Sequence, residues 1–506
     1  MGAALVALPA TSAAAATIAV NTTADNAPNS SECSGAAGDC SLRQALDKAT
    51  SGDTVSVPAN STAYQVNGSP IPLPSGVSIV GGGASSTSVT GGGHNQIFTE
   101  GNGGSVTISA ITLTDGLNPV SVNDEGGAVW VTDGNLTLDQ VAITHSTSPQ
   151  YGGAIEDDGG NLTITRSRFS YDSGQTQGGG AVDFYGSGAL SLVDSSFDHD
   201  TSTYGGALLS ESGATFAINR VTFAGDSSSG VGGGMEGDGS GSLHNVTFSG
   251  DSAASGGGGL EVQGTTTAIN DTFAKNSSPN GANVHVYVRG TFNVENSIFA
   301  SPSGSGSCAI DTGGTITDNG NNLEDASTTT CGFTAAKHDV IGRSPDLGSL
   351  ANNGSKVAAA GGPPQTLALG KTSPALHSAS PSGCTTVGSV DERTKMRPGL
   401  PGSACDIGAF ELQVSKPKVS IRTPRNHARY VQGKVVHAKY TCREGQNGPG
   451  IKSCKGTVAK GKKINTKKLG KHTFRVTATS KDGLKFTHRV TYTVVKARST
   501  APGFTG

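Results

Sequence analysis

The chain has 506 residues, of which 75 are glycine, 5% are aromatic and 15% are charged. A globule of this length with one large core needs more aromatic volume, so this composition excludes that class and favours a fold with a thin core. The net charge of −3 at pH 7 conceals a very uneven distribution of charge along the chain.

The first sixteen residues resemble a secretory signal segment. An apolar stretch at 5–8 is followed by a run of small residues through Ala16. This order is typical of a signal peptide, although the usual preceding basic residues are missing, and an alanine-rich tail is the alternative. No later apolar run approaches the length of a membrane span. We therefore expect an extracellular or cell-surface protein without a transmembrane segment.

The eight cysteines fall as four close pairs in the sequence. None lies in a C-x-x-C pair and none has a histidine at zinc spacing, so we expect no zinc site. Even, locally paired cysteines favour disulfides and an oxidising compartment. Proximity alone predicts four bonds: Cys33 with Cys40, Cys308 with Cys331, Cys384 with Cys405, and Cys442 with Cys454.

A short helix is predicted directly after Cys40. Ser41 and Gln44 have the spacing of a capping box, the helix should end near 51–53, and a strand should begin at Thr54. We interpret residues 17–53 as an N-terminal cap on the fold that follows. The segment 40–45 resembles the CSLREA signature of secreted bacterial β-helix proteins, with Gln44 in place of the usual glutamate.

The central part of the chain repeats one phrase, two glycines followed by a small and an apolar residue, every 25–27 residues. Repetition at a short fixed period, with alternating strands and no helical pattern, predicts a right-handed parallel β-helix over 54–305. A β-sandwich with many hairpins is the alternative, but sandwiches do not repeat a phrase at constant period. The repeated phrases lie at 126–129, 152–155, 179–182, 205–208, 232–235 and 257–260.

Each repeat also carries an alternating strand that ends in an aromatic residue, followed three residues later by Asp or Asn. Together with the glycine phrase this resembles the GGAI and FxxN repeats of polymorphic outer-membrane proteins, which implies a surface-displayed β-helix. One ring per coil predicts a single buried stack. Its members are Phe169, Phe197, Phe223, Phe248 and Phe273.

The residue after each glycine phrase should point outward if the apolar residue points inward. Carboxylates on adjacent coils, about 5 Å apart, repel each other unless a cation bridges them or one is protonated. The column therefore suggests Ca²⁺ or the two-carboxylate geometry of a glycosidase, with a solvated acidic stripe as the alternative. Its acidic members are Glu156, Asp183, Glu236 and Glu261.

A second column lies three residues before each aromatic position. Arg166, Asp194 and Arg220 would place a carboxylate between two guanidiniums. This suggests either charge-compensated stacking of turns or an arginine base for polysaccharide elimination. Asparagines follow in the same column, and we expect them to form a stacked amide ladder. They are Asn245, Asn270 and Asn296.

Residues 306–415 are predicted to form a C-terminal cap. Ordered blocks at 344–348, 373–376, 391–393 and 405–411 resemble the choice-of-anchor Q region of secreted bacterial proteins. His377 and Thr394 stand where that family shows aspartate and glycine. No sorting signal of the kind common in that family follows.

The segment 416–498 has 22 Lys and Arg residues against two acids, a net charge of +20. Subtracting these from the totals of 36 and 39 leaves 14 basic and 37 acidic residues elsewhere, or −23. The alternating strands of 416–498 resemble a bacterial Ig-like sandwich. We expect an anionic cell-wall polymer or polysaccharide as partner, since no aromatic residues interleave the lysines for nucleic-acid stacking. A solvated lysine-rich surface and self-association with the acidic coil are the alternatives, and 499–506 forms a tail.

The sequence therefore predicts an all-β protein, a capped parallel β-helix followed by a small Ig-like sandwich. We favour a secreted, non-catalytic scaffold that is adhesin-like or binds a polysaccharide or surface, with its basic module attached to an anionic polymer. The alternative is a polysaccharide lyase or glycoside hydrolase acting on acidic polysaccharide. Apart from Ca²⁺ in the carboxylate column, no cofactor is expected. The oligomeric state does not follow from the sequence.

Overall fold

The computed structural model describes residues 15–29, 31–101, 103–118, 126–385, 388–399, 403–481 and 483–498. The predicted signal segment lies outside these residues except for its last two, and the predicted tail lies wholly outside them. The chain divides into two units, 1–398 with 404–411, and 399–403 with 412–506.

The α-helix Leu42–Lys48 begins with the predicted capping box. The Gln44 N–H donates to Ser41 Oγ at 3.3 Å, and the Ser41 N–H donates to Gln44 Oε1 at 3.0 Å. The helix ends earlier than predicted, and the strand Thr54–Val57 follows as expected. Its apolar face packs against that strand and Ile71–Pro72. No helix in the described residues is long and apolar enough to cross a membrane.

The first unit is a right-handed parallel β-helix. Within the described part of the chain, four parallel sheets run along the coil, and we number them first to fourth. The first sheet contains Thr17–Ala19, Thr54–Val57, Ser78–Gly81, Ser105–Ser109, Asn135–Asp139, Leu162–Thr165, Ala189–Val193, Thr215–Asn219, Ser240–His244, Thr265–Ile269, Thr291–Glu295 and Thr315–Asp318. The second sheet contains Ile71–Pro72, Phe98–Glu100, Val129–Val131, Ile155–Asp157, Val182–Phe184, Leu208–Ser210, Met235–Gly237, Leu260–Val262, Val284–Val286 and Cys308–Ile310.

The third and fourth sheets complete the coil. The third contains Tyr64–Gln65, Ser88–Thr90, Thr112–Thr114, Ala142–Thr144, Arg168–Ser170, Ser196–Asp198, Thr222–Ala224, Thr247–Ser249, Thr272–Ala274, Ile298–Ala300, Leu323–Glu324 and Val340–Ile341. The fourth contains Thr147–Ser148, Ser173–Gly174, Thr201–Tyr204, Ser227–Val231, Ser252–Ala253, Ser277–Ser278 and Ser303–Gly304. Parallel pairing thus continues past residue 305, where the C-terminal cap was expected to begin.

The predicted phenylalanine stack fills the core behind the third sheet. Successive ring centroids lie 4.7–4.9 Å apart and nearly parallel, and Phe299 extends the stack at 5.1 Å. All of these rings are fully buried. The prediction is confirmed in both membership and burial, because strand pairing places one ring of each coil directly over the next.

A ladder of buried aspartates runs beside this stack, three residues after each ring. The backbone N–H of Asp172 donates to Asp200 Oδ1, that of Asp200 to Asp226, that of Asp226 to Asp251, and that of Asp251 to Asn276, at 2.8–3.1 Å. Burial raises the pKa of every aspartate in the ladder, to about 7 for Asp251. We call this series the aspartate ladder.

After Val340–Ile341 the strands Leu347–Ala351 and Thr366–Leu369 pair antiparallel. The chain then lies along the outer side of the third sheet. We call residues 352–385, 388–398 and 404–411 the strap. Glu392 is fully buried and accepts hydrogen bonds from the Thr222 and Thr247 hydroxyls at 2.8 and 2.6 Å. A single 3-10 helix, Ala335–Lys337, precedes this region among the described residues.

The sequence blocks of the strap build a buried ionic network. Arg393 pairs with Asp391, and its guanidinium lies 3.6 Å from the centre of the Phe410 ring. Arg397 donates to Glu411 at 3.2 Å, with both side chains 1% exposed. These ion pairs therefore stabilise the structure of the strap. Thr394, where the resembling family has glycine, has φ of 64°, a conformation that favours glycine.

The second unit is a small two-sheet sandwich with its own core. Lys418–Thr423 pairs antiparallel with Lys439–Arg443. The other sheet has the order Ala428–Val431, Lys485–Val495, Gly470–Ser480 and Ile451–Gly456, parallel at the first pair and antiparallel at the others. Its assignment to Ig-like modules stays a prediction.

All eight cysteines are bonded in the pairs that proximity suggested. The bonds close loops with sequence separations of 7, 23, 21 and 12 residues. Three lie in the first unit and one in the sandwich. They are Cys33–Cys40, Cys308–Cys331, Cys384–Cys405 and Cys442–Cys454.

Candidate functional site

The predicted carboxylate column runs along the outward side of the second sheet. Strand register places Glu156 beside Asp183 and Glu236 beside Glu261 on adjacent coils. Leu209 separates the two pairs. Neighbouring strands lie about 4.8 Å apart, so the structure brings together both predicted pairs.

These outward side chains are nevertheless buried, because the preceding corner of the chain covers them. A Cβ atom at Gly178 would lie 2.2 Å from Asp183 Oδ2, and one at Gly256 would lie 2.6 Å from His285 Nδ1. Glycine is therefore required at both positions for a close approach. The alternative of a solvated acidic stripe is wrong for the four acids, whose exposed fractions are 0–2%: Glu156, Asp183, Glu236 and Glu261.

Glu236 is a buried acid surrounded by other acids. Burial, and then Asp238 and Glu261, raise its pKa well above the ordinary value. One of its oxygens accepts a hydrogen bond from Gln263 at 2.5 Å, and the other is buried with no partner. Burial, followed by Glu211 and Glu261, raises the pKa of Asp238 to about 7. The pKa of Glu236 is thus well above its ordinary value, and that of neighbouring Asp238 is about 7.

His285 continues the column beside Glu261 and was not singled out by the sequence. Its Nδ1 lies 2.9 Å from both Glu261 oxygens, and its Nε2 lies 3.3 Å from Asp311 Oδ1. Burial alone lowers the pKa of His285, but the two carboxylates together raise it above its ordinary value. Burial raises the pKa of Glu261, against the opposing effect of His285. His285 thus lies between two carboxyl groups, and both favour its positively charged form.

A second outward column lies two residues beyond the first, and sequence reasoning missed it. Its members recur every 24–27 residues, but their mixture of residue types shows no shared chemistry before the strands are paired. The members are Asp158, Tyr185, Glu211, Asp238, Gln263, Tyr287 and Asp311.

The two columns line a concave site near Asp183. Tyr185 is 54% exposed in this site. The Tyr151 hydroxyl donates to Gln177 Oε1 at 2.8 Å, and this hydrogen bond fixes the position of the Tyr151 ring. We call this site the acidic cleft. It has a volume of about 240 Å³ and is lined by Tyr151, Glu156, Asp158, Asp183, Tyr185 and Glu211.

A larger cleft, of about 760 Å³, lies beside the helix Leu42–Lys48. Its Arg43 is already held by Asp25 through two hydrogen bonds of 2.8 and 2.9 Å, and proline and aliphatic residues form much of the remaining wall. In the acidic cleft, by contrast, Glu211, whose pKa is raised by burial, lies together with the exposed ring of Tyr185. We therefore place the candidate site at the acidic cleft.

Across the described ranges, no group of three or more His, Cys, Asp or Glu side chains is placed to hold a metal ion. The hypothesis of Ca²⁺ in the carboxylate column thus finds no ligand group there. Repulsion at Glu236 and Glu261 is instead relieved by their raised pKa, since a protonated carboxyl group carries no charge.

The turn column adopts the left-handed conformation throughout, with φ of 50–57° for its three charged residues. Asp194 accepts two hydrogen bonds from Arg220, at 2.6 and 3.2 Å. Arg166 donates its own pair of bonds to Asp139, one of them at 2.8 Å. Two separate ion pairs therefore replace the expected sharing of Asp194, and the geometry supports charge-compensated turns.

Two of the three asparagines of this column, Asn270 and Asn296, bond to the strap and do not form the expected amide ladder. Asn270 Nδ2 donates to the Gly383 carbonyl at 2.8 Å, and Asn296 Oδ1 accepts from the Ser380 N–H at 2.8 Å. The ladder prediction is wrong for these two residues, because each amide turns toward backbone groups that are distant in sequence.

The sandwich presents its charge very differently. All 22 Lys and Arg residues of 416–498 are exposed. Within 416–481 and 483–498, none of them forms a salt bridge. The surface of this unit is therefore a set of solvated, uncompensated cations.

No family model matches the chain, and no curated protein matches it. Among solved structures it is similar to pectate lyase Pel9A, with 15% identity, a TM-score of 0.48, and coverage of 79% of this chain and 97% of that one. It is also similar to the A-module of Azotobacter vinelandii mannuronan C-5 epimerase AlgE4, with 18% identity, a TM-score of 0.30, and coverage of 54% and 78%. At these values neither similarity says anything about residues or chemistry.

Proposed function

We propose that the protein is an extracellular β-helical polysaccharide-binding protein. The acidic cleft binds a glycan, and the basic sandwich attaches the chain to an anionic wall polymer or polysaccharide. The binding role rests on one observation, the convergence of exposed Tyr185 with the partly exposed Asp158 and Glu211 carboxyl groups in one concave site. Four disulfides support the extracellular location, since they persist in oxidising compartments.

The chemistry of the acidic cleft suits a sugar. A sugar ring offers an apolar C–H face to an aromatic ring and hydroxyl groups to carboxyl oxygens. Binding sites commonly combine aromatic walls with a few fixed polar groups in this way. Tyr185 would supply the stacking surface, and Asp158 and Glu211 at the same cleft would accept hydroxyl hydrogen bonds.

Charge narrows the glycan class. Outside 416–498 the chain has 14 basic and 37 acidic residues, a net charge of −23. Such a field repels anionic chains and leaves neutral ones unaffected. We therefore propose a neutral polysaccharide for the acidic cleft and reserve the anionic polymer for the sandwich.

The test compares two equally exposed tyrosines. Tyr185→Ala should weaken binding to a panel of neutral polysaccharides about tenfold, or ~1.4 kcal/mol, through loss of ring stacking. Tyr171→Ala is the control, because Tyr171 is 51% exposed and stacks between His145 and His199 away from the cleft. Affinity electrophoresis supplies the measurement. Equal losses in both variants, or no binding by the parent, would contradict the proposal.

A glycoside hydrolase is the second candidate, favoured by one observation. The pKa of Glu236 is raised well above its ordinary value beside Asp238, whose pKa is about 7, and such enzymes use two neighbouring carboxyl groups with shifted pKa values. Release of reducing ends from neutral polysaccharides, lost in Asp238→Asn, would support it. A lyase finds less support, since Arg166 and Arg220 are both bound to carboxylates.

A further inference from the structure

The sandwich contains one long hairpin, Gly470–Ser480 with Lys485–Val495, at the centre of its four-stranded sheet. Alternate residues of both strands are buried in the core, including Phe474, Val476, Val490 and Tyr492. The remaining residues must point away from the core, since strand side chains alternate between faces. They form one outward face, which we call the cationic face.

The cationic face has a regular composition. Arg475 lies directly opposite Arg489 at the centre, Lys471 lies opposite Thr493 at one end, and Lys485 lies opposite Thr479 at the other. The flanking strands add Arg429 and Lys455. Threonines fill the positions between the cations, and the Thr477 and Thr487 hydroxyls lie 2.8 Å apart. The described outward positions of these strands carry no acid and no aromatic ring.

This arrangement is unfavourable for the isolated sandwich. Like charges directly opposite each other on antiparallel strands are destabilising. No acid within the described residues of this unit compensates Arg475 or Arg489 by a salt bridge. An anion bound between the two guanidiniums would remove the repulsion.

We infer that the cationic face is the docking surface for a linear anionic glycopolymer with repeating phosphate or carboxylate groups. The inference rests on the proposed attachment role and deepens it. Guanidinium groups match both anions with paired, charge-assisted hydrogen bonds, and threonine hydroxyls donate further ones. The levels of Lys471 and Lys485 are eight residues apart, about 27 Å, which suits an extended polymer better than a single small anion.

Nucleic acid fits this face less well. Proteins that bind single strands stack bases on aromatic side chains, and here the positions between cations are threonines. The hairpin is also flanked by a strand on each side, so it is not a free two-stranded ribbon that could enter the major groove. Double-stranded DNA therefore serves as one arm of the test.

The test uses the full chain and two matched double variants. Arg475→Thr with Arg489→Thr removes the central pair of the cationic face. Lys418→Thr with Arg443→Thr removes an equally exposed, directly opposed pair on the other sheet. Each variant loses two charges. The probes are immobilised poly(glycerol phosphate), alginate and DNA, with retention measured over a salt series.

We expect the cationic-face variant to bind poly(glycerol phosphate) or alginate at least tenfold more weakly, and to elute at lower salt, with less than threefold loss in the control. Equal losses in both variants would overturn the inference in favour of diffuse charge and leave the attachment role intact. Failure of the parent to bind either glycopolymer would contradict both the inference and the proposed attachment role. DNA binding as tight as glycopolymer binding, with the same dependence on Arg475 and Arg489, would also overturn it. Circular dichroism at each step checks that both variants are folded.

Discussion

The β-helix and the sandwich treat like charges in opposite ways. In the β-helix, acids repeat at the same place in successive coils, and the aspartate ladder and Glu236 are buried with raised pKa. In the sandwich every lysine and arginine is exposed to water. In one unit burial raises the pKa of the repeated acids, and in the other the repeated cations stay in water.

The difference follows from how each fold repeats. A solenoid stacks each residue on its equivalent one coil away, so an acid at a repeated position meets another acid about 4.8 Å away. In the sandwich the alternation of strand side chains keeps its cations on outward positions. The stability of the β-helix should therefore depend on pH, and the stability of the sandwich on salt concentration.

The largest expected effect is on the phenylalanine stack. Phe223→Ala should destabilise the β-helix by about 3–5 kcal/mol, because it leaves a cavity between two buried rings. The sandwich transition in the same denaturant titration should not move. Phe486→Ala is the control, since that ring is 41% exposed. A loss below 1 kcal/mol for Phe223→Ala would mean that the coil can collapse around the missing ring.

The next largest loss of stability is expected from removing the disulfide of the sandwich. Replacing Cys442 and Cys454 by serine should cost the sandwich about 3 kcal/mol, from the loop of 12-residue separation that the bond closes. Calorimetry with resolved transitions would measure it. The same change at Cys33 and Cys40, which close a shorter loop of separation 7, should cost less and act on the β-helix. The reverse order would contradict the chain-entropy account.

The aspartate ladder should make the β-helix sensitive to pH. The folded pKa of Asp251 is about 7, above the ordinary aspartate pKa of 3.8, so its stabilising contribution is full below about pH 4 and is lost as the pH rises through 7. Asp251→Asn should therefore be more stable than the parent at pH 8, and this advantage should shrink as the pH falls toward 4.

The ladder supplies its own reverse control for that experiment. Asn276 is the native amide at the next position, and it accepts the Asp251 N–H at 2.9 Å. Asn276→Asp should add a pH dependence that the parent lacks at this position. Urea titrations at several pH values measure both variants. A pH-independent difference between Asp251→Asn and the parent would show that the carboxyl group is not protonated.

The smallest expected effect is that of salt on stability. Raising NaCl from 0.05 to 0.5 M should raise the Tm of the sandwich by about 2 °C, because screening weakens repulsion among its exposed cations. The buried acids of the β-helix should respond far less, since buried charges are screened weakly. An equal shift in both transitions would remove the distinction between the two units.

The repeat period alone sufficed to predict the strand register, the phenylalanine stack and the carboxylate pairs. These follow from stacking equal positions at a constant interval, which needs no knowledge of distant contacts. The capping box at Ser41 is likewise local, since its two hydrogen bonds join residues three apart. The disulfides also join cysteines close in sequence.

Only the tertiary structure decided what covers each position. The period predicts that Glu236 points outward, but its burial depends on how the corner and the neighbouring coils pack around it. Asn270 and Asn296 turn to the strap, and Glu392 inserts between Thr222 and Thr247, across more than 80 residues of sequence. The sequence by itself therefore determined the fold and the neighbours along the coil axis. Burial, protonation and partner choice were decided by contacts across that axis, which no periodic pattern encodes.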